Sequence, residues 1–315
     1  MEQRTLYGDQ TVSALTLGGG GLGQLWGATT RDEAVATVRR AADLGINLID
    51  VAPLYGNGEA ERVVGLAFDG SLPPGMRVET KCALGSPPAE EVYDRLSQSL
   101  SESLERMRLR RVDIFVLHTN ISFVAPTGAT RRTNRELFKS SVVPAFQRLS
   151  DEGRIGAWGI SGIGEPDALI DTLHDMPRPA VIQCITNALH SAGGLKRFEG
   201  DLRANELIDA AVRAGVGVLG IRAVQAGALV DVPDRELVGA DADDYARAAP
   251  FRQLAREMGI SAAALAHRYA LSVLGVSSVI LGVKNREELE ECVAAAEAGR
   301  LSASEVQRID HALAT

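Results

Sequence analysis

Cysteine is scarce. The chain has three, Cys82, Cys184 and Cys292, an odd number set far apart with no CxxC pair. Neither a disulfide framework nor a cysteine zinc site is expected, and a reducing cytoplasm is the expected compartment. Positive charge is also short. Lysine and arginine total 33 against 41 acidic residues, a net charge of -8, and the basic runs are only pairs such as Arg39-Arg40, Arg110-Arg111 and Arg131-Arg132. Duplex nucleic acid and anionic membrane are poor partners for such a surface. The first ten residues lack the basic-then-apolar order of a signal peptide. Membrane-length apolar runs are missing too: residues 10–30 are interrupted by a glycine cluster, and residues 269–283 are too few to span. His174, His190, His267 and His311 are scattered without an i, i+4 pair, so no metal site is expected.

What is present is an ordinary globular composition, 45% hydrophobic and 23% charged over 315 residues, which excludes intrinsic disorder. Short β-rich runs recur at residues 14–17, 48–50, 77–81, 114–118, 157–161, 180–183, 217–221 and 278–281. Most are short and largely apolar, as expected of parallel strands covered on both faces. Helical patterns separate them at 30–44, 88–107, 142–151, 166–175, 205–214, 261–272 and 286–296, with a last one at 302–314. Thr30 with Glu33, and Ser302 with Glu305, read as capping boxes, and Pro144 falls in a first turn where proline is tolerated. Eight strand–helix units predict an α/β fold, a single-domain (β/α)₈ TIM barrel over residues 1–315 with an extra C-terminal helix. A doubly wound sheet is the alternative. Its phosphate-binding GxGxxG occurs in Gly18-Gly19-Gly20-Gly21-Leu22-Gly23, but the next helix cap, Thr30, comes too late for a Rossmann turn. A flexible loop beside a ligand is the expectation for this segment.

Connections 119–141 and 222–250 exceed what a barrel needs, and both would emerge on the C-terminal face where barrel enzymes hold their sites. At the same face, Asp50, Lys81 and His118 end three successive strands, and Tyr55 follows the first of them. An acid, an amine, an imidazole and a phenol converging on one rim suit proton transfer. Each has a bland alternative as a cap, a solvated strand end or a packed side chain. A tyrosine hydroxyl ordinarily titrates near ~10, and a cation beside it favours the phenolate. Lys81 is expected to lower the Tyr55 pKa, with Asp50 holding the ammonium.

These residues resemble the aldo-keto reductase family. The segment Gly45-Ile46-Asn47-Leu48-Ile49-Asp50-Val51-Ala52-Pro53-Leu54-Tyr55-Gly56-Asn57-Gly58-Glu59 looks like its Asp/Tyr signature. Glu79-Thr80-Lys81 and Leu117-His118 follow, then Gly153–Ser161, Gln183 with Asn187, and Ile280–Lys284 leading into Arg286–Cys292. The resemblance implies NADP(H) bound without a Rossmann fold and hydride transfer between nicotinamide and a carbonyl or alcohol substrate. It implies Asp50, Tyr55, Lys81 and His118 as the catalytic set, with Tyr55 as general acid. Ser161 and Gln183 would hold the carboxamide; Gly282, Lys284, Glu288 and Glu291 would line the adenosine end, Lys284 facing the 2′-phosphate. Departures are Val51 for a frequent threonine, Gly162 for an asparagine, Ile221-Arg222-Ala223 for a segment that often begins with an aromatic, and Cys292 for an asparagine. Arg222 is a candidate for a cofactor phosphate instead.

Trp26, Leu54 and Phe123 are candidates for an apolar substrate wall, and Arg131, Arg132 and Arg135 for attracting an acidic substrate, with plain loop packing or solvation as the alternative for each. Two other functions fit the same residues: an NADP(H)-binding regulatory subunit with little turnover, and a Schiff-base lyase using Lys81, which requires that amine unpaired. Oligomeric state and substrate identity are not legible.

Overall fold

The computed structural model describes residues 1–124 and 131–314, and the part of the fourth connection at 125–130 lies outside them. Eight parallel strands close into a barrel: β1 Leu15–Gly18, β2 Leu48–Asp50, β3 Arg77–Cys82, β4 Val112–Leu117, β5 Ile155–Ser161, β6 Val181–Ile185, β7 Gly217–Ile221 and β8 Ser278–Leu281. Each pairs with its sequence neighbours, and β8 returns to β1 through Leu281 opposite Leu17. The α/β-barrel expectation holds for all eight strands. The strand bounds differ by a residue or two, as at β5, where Ile155 and Gly156 already pair or bend into the ladder.

The barrel's helices follow the apolar spacing that announced them. In Arg31–Asp43 the side chains of Ala34, Val38 and Ala41 are buried, and Thr30 accepts the Glu33 amide at 3.1 Å. The Glu33 carboxylate does not complete the box. It bonds the Arg286 guanidinium and backbone amide instead, tying the first helix to the last strand's loop. The Ser302 box is complete in both directions. Its helix, Ala303–Ala314, lies outside the repeating units, burying Ile309 in a cluster with Phe251, Leu254 and Leu265. The seventh connection is not a plain loop, since it contains helices Ala240–Arg247 and Ala249–Glu257. Helix Glu59–Phe68 also forms directly after the Asp/Tyr segment, with Ala60, Val63, Val64 and Ala67 buried at helical spacing. Among the described residues of the fourth connection, Asn120–Ser122 and Arg132–Asn134 pair as a two-stranded ribbon.

The chain opens with a hairpin, Gln3–Tyr7 against Gln10–Ser13. Its Leu6 and Val12 pack on the inward side chains Leu48, Ile114, Val116, Val181, Leu219 and Ile280. These are the apolar lower layers of the barrel, so the hairpin closes the N-terminal end. Burying two such side chains is worth about 1.5–3 kcal/mol each. The titratable groups lie above these layers, toward the strand ends; lower down, the Thr16 and Ser278 hydroxyls hydrogen-bond each other at 2.7 Å.

Candidate active site

Strand alternation aims every second side chain of β3 at the barrel axis, which brings Glu79 and Lys81 inside while Thr80 turns outward to the Glu61 carboxylate. Lys81 is fully buried. Its Nζ lies 2.5 Å from Asp50 Oδ1, donates to the Val51 carbonyl at 3.0 Å and reaches the Tyr55 hydroxyl at 3.2 Å. Tyr55 sits where the chain turns after β2, and its ring meets His118 edge to face with centroids 5.8 Å apart. The structure therefore brings Asp50, Tyr55, Lys81 and His118 to one mouth.

Burial pulls the Lys81 ammonium down, but the Asp50 carboxylate against it outweighs this and holds the amine above its usual value. Imine formation needs the free base, so this pairing opposes a lyase role. Tyr55 departs from expectation. Burial pushes its hydroxyl above the ordinary tyrosine value, and Asp50 and Glu79 add to this; the Lys81 cation pulls the other way without prevailing. A phenolate is costly in a site holding two carboxyl groups, so in the protein alone Tyr55 keeps its proton at neutral pH. His118 is pushed down to about 3 by burial first, then by Lys81 and Arg131, so the imidazole is neutral. Its Nδ1 is buried without a hydrogen-bond partner among the described residues.

Glu79 belongs to this cluster and was visible in the sequence only as the residue two before Lys81. It stands opposite Asp50 in the β2–β3 register and is fully buried. The Gln183 side-chain amide donates to Asp50 at 2.8 Å and also to Glu79. Burial, then the Asp50 charge, push the Glu79 carboxyl well above the carboxylate range. The signal available from sequence was a charged residue at an inward position of a strand otherwise read as barrel core.

The glycine cluster is packed rather than loose. Gly19–Leu22 forms one buried helical turn, and a Cβ on Gly21 would collide with the Val283 carbonyl, one on Gly23 with the Tyr55 carbonyl. Close approach of three backbones, not phosphate binding at a helix start, explains these glycines. The remaining candidates divide into two groups. Ser161 ends β5 in register with Gln183, and both are buried at the mouth. Leu54 is exposed beside Tyr55, and Phe123 is exposed on the fourth connection. Arg135, by contrast, is buried and held by Asp171 and Asp175, so it is not a solvated loop cation, and half-buried Arg132 donates to the Arg197 carbonyl.

Farther round the rim, Trp26 packs over the backbone of Gly20 and Gly282, with the Arg235 guanidinium 5.7 Å above its ring. Trp26 thus sits with Gly282. Lys284 Nζ is paired with Asp234 at 2.5 Å and with Glu288, which also accepts the Lys284 backbone amide. Glu291 bonds the Ser261 hydroxyl. Arg222, left-handed at φ 57°, gives its guanidinium to Asp241 at 3.0 Å and Gln225 at 2.8 Å. It is held in a loop network that includes Asn187 and Asp244.

The sequence profile of the aldo/keto reductase family matches residues 14–314. The chain belongs to that family. This aldo/keto reductase is 29% identical over 286 residues to L-galactose dehydrogenase of Arabidopsis thaliana, covering 90% of the chain and 84% of that protein. Its fold is similar to an aldo-keto reductase of Bacillus halodurans in its holo form, with TM-score 0.75, 23% identity and coverage of 99% and 96% of the two chains. It is similar again to one of Klebsiella pneumoniae in complex with NADPH, with TM-score 0.70, 24% identity and coverage of 99% and 95%. Among the described residues of this aldo/keto reductase, no helix is long and apolar enough to cross a membrane, and no group of three His, Cys, Asp or Glu residues could hold a metal ion.

Proposed function

We propose that this chain is an NADP(H)-dependent oxidoreductase that moves a hydride between nicotinamide and a small carbonyl or alcohol substrate, with Tyr55 as general acid in reduction and base in oxidation. The observation that carries it is the contact of one buried ammonium, Lys81, with both Asp50 and the Tyr55 hydroxyl. A bound nicotinamide supplies or accepts the hydride. Tyr55 keeps its proton until the substrate oxygen gains negative charge, and Lys81 then stabilises the phenolate left behind. The neutral His118 orients that oxygen by a hydrogen bond and adds no competing charge.

The donor set suits the cofactor at both ends. Ser161 and the Gln183 carbonyl oxygen offer a hydroxyl and an acceptor to the carboxamide, since the Gln183 amide nitrogen is committed to Asp50 and Glu79. Lys284, next to the start of helix Arg286–Glu297, offers a cation and a positive helix end to the 2′-phosphate, which must displace Asp234 from the amine. Glu288, Glu291 and Gly282 complete the adenosine side, and Arg222 serves the phosphates only by exchanging Asp241 for them. Leu54 and Trp26 are the apolar side chains proposed to bound the substrate, beside Tyr55 and Gly282 respectively.

The test is NADPH oxidation over a panel of aldehydes by wild type and Tyr55→Phe. Loss of a positioned general acid lowers turnover by about 10²–10⁴-fold, and equal rates in the two proteins would remove Tyr55 from this role.

A further inference from the structure

Glu79 has a feature that barrel packing does not explain. It is fully buried between the apolar layers sealed by the hairpin and the mouth, yet its Oε2 has no hydrogen-bond partner among the described residues. The groups facing it are Asp50 on β2, Lys81 on its own strand and Gln183 on β6, with the Tyr55 hydroxyl above and Tyr7 of the hairpin near enough for their charges to interact. Two carboxyl groups thus share one cation, and Lys81 is already 2.5 Å from Asp50. A second carboxylate with a bare oxygen inside the barrel is far costlier than a neutral acid there.

We propose that Glu79 is a positioning residue of the relay: a neutral carboxylic acid that, together with the Gln183 amide, fixes the Asp50 carboxylate against Lys81 and leaves the cluster without net charge. Its carboxyl proton is shared toward Asp50, so Asp50 keeps its negative charge for the ammonium, and Lys81 stays aimed at the Tyr55 hydroxyl. Glu79 touches neither substrate nor the reacting atoms and acts only through Asp50.

The kinetic part of this proposal rests on the oxidoreductase function above; the protonation state does not. It is therefore tested first by the infrared difference spectrum of wild type minus Glu79→Gln at neutral pH, without any substrate. A carboxylic-acid carbonyl band in wild type supports the proposal, and its absence overturns it whatever the enzyme's reaction. The second measurement is kcat and KM for 4-nitrobenzaldehyde with NADPH across pH. Glu79→Leu removes a hydrogen bond to a charged group, and kcat is expected to fall by at least about tenfold with KM little changed. Glu79→Gln is expected to recover most of that loss, with a pH profile that superimposes on wild type. An ionised Glu79 would give a different result, because deleting a negative charge beside Lys81 and Tyr55 moves the alkaline limb to lower pH. Such a movement, or a Glu79→Leu enzyme with wild-type kcat, overturns the positioning role. Should Glu79→Leu not fold, the infrared band and the Glu79→Gln profile still decide the matter. A wild type without turnover but with the band refutes the reaction, not the neutral acid.

Discussion

Replacing Lys81 by methionine keeps most of the side chain's volume and deletes one charge. Three contacts go with it: Asp50 at 2.5 Å, the Val51 carbonyl at 3.0 Å and the Tyr55 hydroxyl at 3.2 Å. Removing one partner of a buried ion pair ordinarily costs about 3–5 kcal/mol, because the other charge is stranded. Here the stranded group is not bare. Gln183 still donates to Asp50 at 2.8 Å, so the lower end, about 3 kcal/mol, is the expectation. Asp50→Asn alone strands the ammonium instead, with the Val51 carbonyl and Tyr55 hydroxyl as its neutral partners. The double variant strands nothing. Its loss should fall short of the sum of the single losses by about 2 kcal/mol, a coupling within the range for groups in one network. Urea unfolding at neutral pH, extrapolated to water for all four proteins, measures this. Single losses that add to within about 0.5 kcal/mol would refute a charge pair as the cause, since that is the behaviour of independent sites.

Acid should destabilise the fold through His118. Its folded pKa is lowered to about 3, so the unfolded chain binds a proton that the folded chain refuses, and stability is lost as pH falls from about 6.5 toward 3 by up to ~1.4 kcal/mol per pH unit. His118→Asn should flatten that part of the stability curve, and an unchanged slope would show that the imidazole is not buried neutral. Gly21→Ala pushes a methyl into the Val283 carbonyl; thermal unfolding should report a loss of about 1–3 kcal/mol, typical of overpacking, and no loss would mean that the backbones separate freely. For the proposed cofactor, Lys284→Met should reduce kcat/KM for NADPH by about tenfold or more while leaving NADH little affected, as expected from losing a charge-assisted hydrogen bond. Equal effects on both cofactors would move the 2′-phosphate away from Lys284.

The barrel was legible because both of its periods are written plainly. Runs such as Val181–Ile185 and Gly217–Ile221 are apolar at nearly every position, as a strand covered on both faces must be, and the helix from Arg31 has its cap and stripe in sequence. Asp50, Tyr55, Lys81 and His118 were found because consecutive parallel strands end on the same face, so an adjacency in chain order becomes one in space. What escaped was set by partners rather than by local pattern. Helix Glu59–Phe68 follows a turn with a glycine at its cap, and the polar hairpin at the start gains its reason only from the barrel end it covers. Lys284 and Arg222 are expected from the resemblance to face cofactor phosphates, while Asp234 and Asp241, which hold them, come from a connection whose course no spacing rule predicts. The direction of the Tyr55 shift was missed for a related reason. Counting Lys81 as a neighbour is simple, but the opposing weight of burial and of Glu79 needs the third dimension.

The hairpin under the strand starts makes the barrel a vessel open at one end. Leu6 and Val12 stop the base, and the apolar side chains above them offer water no foothold. In the proposed reaction, substrate, product and hydrogen ions would all use the same doorway, past Leu54 and Tyr55. A molecule lodged in that doorway obstructs all traffic at once, and an inhibitor need not resemble the substrate so long as it fits the sill.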